Sequence, residues 1–324
     1  MKVGIVVPYF GMLPNYFQLF LDSCESNYKF EWIIFTNDRT DYNYPKNVHP
    51  IYMTFKECRN LTQSKFSFTI ELSRPQKLCD YKCAYGYIFT DYLKDYDWWG
   101  YCDLDQIFGD LSVFITDDML NKYDKIGSIG HFTLYKNTDE NCKMFMNSLN
   151  GKLRYQEVFT SAKGCAFDEW LPENINDIYL DSDKKLILDN YGADINSYRT
   201  QLSLVQFDVT QRKYVQSSIK NSIFKVINGK VYQVFKSNNH IDEIEYPYVH
   251  LQKRKMKDKR TIKNSKDYFI IPNSFVDIDN DANKLLNKCT KWNFINYQFF
   301  RVKFNSLKYR LKNKDWKFSS VFRM

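Results

Sequence analysis

No run of about 18 apolar residues, the length a membrane-spanning helix needs, occurs in this chain, so no spanning helix is expected. A Gly/Ser linker and internal repeats are also missing, which argues against a string of flexibly joined modules. The eight Cys show no paired metal spacing: Cys79-x-x-x-Cys83 stands alone, and the four His are scattered. Several Cys, Cys102 and Cys165 among them, lie in apolar runs, which fits reduced thiols in a cytoplasmic protein. The opening Met1–Pro8 has the look of a signal peptide, but its apolar run is too short and no small-residue cleavage site follows. It reads instead as a first strand.

What is present is the material of a folded domain. Hydrophobic residues make up 44% and aromatics 18% of 324 residues, enough for a sizeable core and too much for a disordered chain. The net charge of +8 is uneven, with much of the excess between Lys253 and Lys266 and between Lys303 and Lys317. Near the C-terminus Trp292, Phe294, Tyr297, Phe299, Phe300, Phe304 and Tyr309 alternate with Arg301, Lys303, Lys308, Arg310 and Lys312. Such a helix suits a membrane interface, drawn to anionic lipid, and equally suits packing on a catalytic domain with its charges in water. No nucleic-acid partner is expected.

The first half alternates strand-like and helix-like segments. Val3–Tyr9, Trp32–Phe35 and Val48–Thr54 read as strands, and Pro14–Ser23 as a helix. Pro75–Leu93 reads as a longer helix, with Leu78, Tyr81, Tyr85, Ile88, Phe89 and Tyr92 recurring every three or four residues. This alternation predicts an α/β fold with a mostly parallel sheet flanked by helices. Further on, Lys125–Tyr135 reads as a strand and Asp139–Leu149 as a helix. Phe224–Phe235 reads as a hairpin turning at Asn228-Gly229, and Tyr246–Leu251 as a strand. The last forty residues read as helical and amphipathic. The expected layout is a domain over 1–255, split near 115 into two halves, and a basic, aromatic, α-rich extension over 256–324.

In such sheets ligands bind beyond the carboxyl ends of strands. Tyr9, Asn37-Asp38 and Asp103-Leu104-Asp105 all lie at such ends. The last of these is the sharpest signal. Two carboxylates follow the apolar run Trp98–Cys102, and in an extended segment residues i and i+2 point the same way. Asp103 and Asp105 could converge on one hard cation, Mg²⁺ or Mn²⁺, with diphosphate oxygens completing its shell. The other Asp-x-Asp pairs, at Asp181, Asp277 and Asp279, sit in polar stretches and read as surface or turn.

Tyr248–Lys253 adds His250 at the end of an apolar strand, a third ligand or a structural histidine, and Lys253, able to neutralise diphosphate charge. Asp168 and Glu169, flanked by Phe167 and Trp170, read either as a base or sugar-gripping pair or as the acidic start of a helix. Lys77 and Asp80 are one turn apart and form at least an ion pair.

Together these residues resemble the GT-A class of nucleotide-sugar glycosyltransferases. The run from Lys77 to Asp105 resembles the helix-then-DXD block of sugar-binding-region transferases. Val3–Phe10, Phe35–Asp38, Gly100–Leu111 and Tyr248–Lys253 are similar to an uncharacterised bacterial family found in capsule and polysaccharide gene clusters. The resemblance covers about residues 1–255.

It implies a hexosyltransferase that moves a sugar from a UDP-sugar to an oligosaccharide or lipid-linked acceptor in surface polysaccharide synthesis. It also implies a lean towards retention of configuration; the expected location is the cytoplasm, with the basic aromatic C-terminal segment as the contact if the protein lies on the inner membrane face. Pro8, Tyr9 and Phe10 would lie by the base, and Thr36, Asn37 and Asp38 by base or ribose. Lys77 and Asp80 would reach the donor phosphate or sugar. Asp103, Asp105 and His250 would hold the metal, Asp168 and Glu169 would face the donor sugar, and Lys253 would hold the diphosphate. Two positions depart from the pattern: Cys83-Ala84 stand where an Arg-Tyr pair is usual, and Leu251-Gln252 where a Gly-containing loop often follows the His. A metal-dependent nucleotidyltransferase or nuclease, with Asp110 as its extra carboxylate, and a non-catalytic polysaccharide-binding protein are the alternatives.

Overall fold

Alternating burial along the first strands builds the centre of the computed structural model, which describes residues 1–238, 240–289, 300, 301, 303–305, 307 and 308. Val3, Ile5 and Val7 pack with Trp32, Ile34 and Trp98 on one face of a sheet, while Val6 packs with Ile33, Phe35 and Trp99 on the other. Both faces are therefore covered, as the near-continuous apolar strands require.

In chain order the strands are β1 (Val3–Tyr9), β2 (Phe30–Thr36), β3 (Val48–Tyr52), β4 (Trp98–Cys102), β5 (Gln106–Phe108), β6 (Lys125–Ile129), β7 (Phe132–Lys136), β8 (Leu186–Ile187) and β9 (Ala193–Ile195). They continue as β10 (Leu204–Asp208), β11 (Lys213–Gln216), β12 (Ser222–Ile227), β13 (Lys230–Ser237), β14 (His240–Tyr246), β15 (Tyr248–His250), β16 (Lys257–Asp258), β17 (Tyr268–Ile271) and β18 (Ser274–Asp277).

The central sheet has the order β3-β2-β1-β4-β7-β6-β8. Its first four strands run parallel, and β7 then pairs antiparallel with both β4 and β6. A second sheet, β11-β10-β9-β15-β5, stands beside the end of β4, and a third has the order β14-β13-β12-β17-β18-β16. The third sheet joins strands from both sides of position 255. The first part of the segment expected as an extension is therefore β, and the helix Ala282–Lys288 packs on that sheet through Leu285 and Leu286.

Three elements differ from their expected form. Lys125–Tyr135 is two antiparallel strands, β6 and β7, with the chain reversing at Gly130-His131. The helix expected over Asp139–Leu149 is shorter, an α-helix over Asp139–Lys143 followed by a 3₁₀ turn over Met144–Met146. The long helix expected over Pro75–Leu93 is a 3₁₀ helix over Pro75–Ala84, an α-turn over Tyr85–Ile88 and a 3₁₀ turn over Thr90–Tyr92. In the tighter winding residues three apart eclipse, which stacks Lys77 over Asp80 and, on the next face, Leu78 over Tyr81. Gly86 then passes against Trp99, where a Cβ would sit 2.3 Å from the indole. No described helix is long and apolar enough to cross a membrane. Most of the aromatic, cationic segment expected to lie on a membrane or on the catalytic domain, Trp292, Phe294, Tyr297, Phe299 and Tyr309 included, falls outside the described residues.

Candidate metal centre

β1 and β4 are parallel neighbours with Val6 opposite Tyr101, so Tyr9 and Asp103 leave the sheet along one edge. The Asp103 N–H donates to the His131 carbonyl at 3.1 Å, Leu104 turns into the core, and the Asp105 carbonyl accepts from the Leu251 N–H at 2.7 Å. β15 lies between β5 and β9, which sets His250 opposite both Gln106 and Asp194. Segments about 150 residues apart in sequence are thereby knotted into one site.

Asp103, Asp105 and His250 each offer one ligand atom, and these atoms lie within 4.8 Å of one another. Each residue's other polar atom is already bound. Asp103 Oδ1 is held by Lys82 Nζ at 2.7 Å, which leaves Oδ2 facing His250 Nε2 at 3.9 Å. Asp105 Oδ2 accepts from the Lys253 N–H, which leaves Oδ1 at 3.3 Å from His250 Nε2. His250 Nδ1 meets Asp194 Oδ1 at 2.9 Å. Three atoms that meet only one another among the described residues, two carboxylate oxygens and one imidazole nitrogen, point at a common centre. That donor set fits a hard or borderline divalent ion such as Mg²⁺ or Mn²⁺. Asp103 is 30% exposed against 9% for Asp105 and 6% for His250, so the centre opens to ligands on the Asp103 side.

The electrostatics show how strongly this cluster calls for positive charge. Burial would lower the His250 pKa, but Asp105 and Asp194 push it up to about 10. Burial would raise Asp105, but His250 and the Lys253 amide hold it well below the usual carboxylate range. Asp194 is likewise lowered, by the two histidines and Gln252, against its burial. His131 stacks against His250 with ring centroids 4.2 Å apart, and burial together with His250 pushes it down to about 4. Its Nε2 is buried without a hydrogen-bond partner among the described residues.

Asp168 and Glu169 stand next to this centre. They close on Gly130, where an added Cβ would meet a carboxylate oxygen of each at 2.5 Å. Lys82 joins them to the ligands: its Nζ lies 2.7 Å from Asp103, 3.7 Å from Asp168 and 2.7 Å from the Gly130 carbonyl. Burial pushes Asp168 up to about 7, opposed by Lys82 and reinforced by Glu169. Glu169 is raised mainly by burial and accepts from the Tyr214 hydroxyl at 3.1 Å.

The remaining expected site residues divide. Tyr9 is half-buried near Asp105, whose charge adds to burial in raising its pKa, and Pro8 is half-buried beside it. Phe10 turns into the core against Phe55, at 5.5 Å, and presents no face to a base. Asn37 and Asp38 accept from the Gly11 and Leu13 N–H groups at 2.8 and 3.1 Å, and Thr36 accepts from the Asp38 N–H. These three shape the loop after β1. Lys253 is exposed on a turn in which it and Gln252 both have positive φ, 56° and 54°.

Lys77 and Asp80 do not reach the site. Lys77 Nζ is consumed by Asp80 and by the Val158 and Lys163 carbonyls, and Asp80 also accepts from the Cys165 and Ala166 N–H groups. Sequence reasoning missed Lys82 and Asp194, and placed His131 only within the Lys125–Tyr135 strand. The one trace of Asp194 in the sequence is a charge between Ala193 and Ile195, both of which prove fully buried. Lys82 left no trace, because one more lysine near a helix is unremarkable in a chain of this charge.

A family model described as a family of unknown function (DUF6625) matches residues 5–279. No curated protein matches the chain. Among solved structures, the chain is similar to the galactosyltransferase LgtC in complex with donor and acceptor sugar analogs, at 13% identity and a TM-score of 0.33 over 61% of this chain and 77% of that one. An active-site mutant of LgtC is similar at 12% identity and a TM-score of 0.34, over 61% and 76%. At that identity no activity is carried across.

Proposed function

The chain belongs to this family of unknown function, and we propose that it is a metal-dependent glycosyltransferase that moves a sugar from a nucleoside-diphosphate donor, a UDP-sugar, to a glycan acceptor of bacterial surface polysaccharide. The observation that carries this reading is the convergence of one unspent atom from each of Asp103, Asp105 and His250 at the edge where β1 and β4 end.

Asp103, Asp105 and His250 would hold Mn²⁺ or Mg²⁺, and the bound ion supplies Lewis-acid stabilisation of charge on a departing diphosphate. Lys253, exposed beside Asp105, adds a second positive charge for the same oxygens. Lys82 keeps Asp103 in its ligating pose and links it to Asp168. Asp168, with a pKa near neutrality, can hold or release a proton at its carboxyl beside the sugar, while Glu169 and Tyr214 offer hydrogen-bonding groups to its hydroxyls. The half-buried Tyr9, near Asp105, would flank the nucleotide. A lipid-linked acceptor and a site on the cytoplasmic membrane face belong to this reading, as does retention of configuration. Retention is checked by the anomeric signal of the product in NMR.

The nucleotidyltransferase or nuclease alternative is less well supported. Asp110, the additional carboxylate it would use, caps a short helix by accepting from the Ser112 N–H and hydroxyl. The test is thermal unfolding with UDP and UDP-sugars, with and without Mn²⁺, on the wild type and Asp103→Asn. Stabilisation that needs both nucleotide and metal, and is lost in the variant, supports the proposal. Stabilisation indifferent to Mn²⁺ favours a non-catalytic binder and overturns it.

A further inference from the structure

We infer that Asp194 is a positioning residue that orients two of the three metal ligands at once; the inference rests on the metal site proposed above. Its Oδ1 meets His250 Nδ1 at 2.9 Å and accepts from Gln252 Nε2 at 2.6 Å. With a metal in place of the Nε2 proton, the first bond keeps the remaining imidazole proton on Nδ1 and aims Nε2 towards Asp103 and Asp105. A ligating histidine commonly needs such a carboxylate behind it to set tautomer and ring angle. The second bond holds the turn in which Gln252 and Lys253 both adopt positive φ, and the Lys253 N–H of that turn grips Asp105 Oδ2. Asp194 thus reaches His250 directly and Asp105 through two residues of backbone.

Sheet register makes the arrangement stiff. β9 and β15 are parallel neighbours with Asp194 paired to His250, so the carboxylate and the imidazole are set by the same backbone ladder. His131 packs against the His250 ring, with centroids 4.2 Å apart and planes 31° apart. Asp194 itself is buried, at 6% exposure, behind His250. His131, Asp194 and His250 form a second, buried group of possible ligands, but there Asp194 Oδ1 is already bound to His250 Nδ1 and Gln252, while the open side of the centre lies at Asp103.

The experiment is calorimetric titration of Mn²⁺ into the full chain, paired with thermal unfolding in EDTA. Wild type, Asp103→Asn, Asp194→Asn and Gln252→Ala are compared. Asp194→Asn is expected to weaken Mn²⁺ binding about 10- to 100-fold, the usual cost of losing an outer-shell partner. Gln252→Ala should weaken it about 3-fold, since it removes one of the two routes. A purely structural aspartate would instead lower the melting temperature in EDTA and leave the Mn²⁺ affinity of the folded protein unchanged, which overturns the inference. Should Asp194→Asn fail to fold, Gln252→Ala decides: weakened binding supports the inference and unchanged binding overturns it. If the wild type takes up no Mn²⁺, the proposed function falls and this inference with it. If the wild type binds, Asp103→Asn does not, and Asp194→Asn matches the wild type, the inference alone falls.

Discussion

Asp80 and Asp103 each hold a buried lysine at 2.7 Å, yet only one of the two pairs is closed. Lys77 and Asp80 are 2% and 4% exposed, and every donor and acceptor they carry is spent on each other and on the segment from Val158 to Ala166. That pair is a rivet between two stretches of chain. Lys82 and Asp103 sit at the candidate metal centre, and Lys82 takes only one of the Asp103 oxygens. The other oxygen faces the Asp105 and His250 atoms, which meet only each other and it among the described residues. Both regions have the charges a ligand site needs, and what separates them is the count of lone pairs left over. A buried polar cluster whose groups are all bound elsewhere is structure, while one whose ligand atoms converge on an open side is a candidate site.

The sharpest way to break this comparison is to open the rivet. Asp80→Ala strands a buried ammonium and two backbone N–H groups, which should cost about 3–5 kcal/mol of stability. In urea unfolding the midpoint should collapse, while the folded fraction keeps its Mn²⁺ affinity. A weakened metal affinity would place Asp80 in the site after all. Asp103→Asn should do the reverse, with Mn²⁺ affinity falling by about 100-fold or more, beyond the loss of an outer-shell partner, and a melting temperature in EDTA close to that of the wild type. Equal losses in both readouts would erase the distinction between rivet and site.

A third buried lysine sharpens the contrast. Lys125 has no carboxylate partner among the described residues; it donates to Asn176 at 2.8 Å and to the Gly127 carbonyl, between the rings of Tyr135 and Tyr179. Burial pushes it down to about 7. Because the folded value lies below the unfolded one, the unfolded chain binds more protons between about pH 7 and 10.5. Stability should therefore rise with pH across that window, by at most about 1.4 kcal/mol per unit, and the deficit is full below it. Lys125→Met should remove that slope in urea unfolding at pH 7, 8 and 9. An unchanged slope would mean that Lys125 stays protonated throughout.

The smallest effect is expected at Lys253. Its exposed amine is free to meet a diphosphate, and a charge-assisted bond in water is a weak one. Lys253→Ala should raise the dissociation constant of Mn²⁺–UDP by about 3- to 10-fold, more at low salt than at high salt. Titration at two salt concentrations checks this, and an unchanged constant removes Lys253 from the diphosphate site.

Local pattern carried the reading of the first 115 residues. The apolar alternation in Val3–Tyr9 and Phe30–Thr36 is visible because both faces of a parallel strand need covering. Asp103 and Asp105 are legible because two charges directly after a buried strand must end at an edge. The winding of Pro75–Ala84 was not legible, since Leu78 and Tyr81 satisfy three-residue and four-residue spacings alike until the neighbours of Lys77 and Asp80 are known. Phe10 failed as a base platform for a related reason: a ring at a strand end can turn either way, and Phe55 turns it inward.

Chain order thus determined the strands, the parallel half of the sheet and the pair of carboxylates at its edge, because these depend on periodicity and on neighbours a few residues away. Only the tertiary structure decided which charged groups share a centre. It brought His250 and Asp194 to Asp105 through the pairing of β5, β15 and β9, and it set Lys82 against Asp103. It also closed Lys77 on Asp80 and the segment beyond Val158. The number of unspent donor atoms depends on contacts between segments far apart in sequence, and no local pattern encodes them.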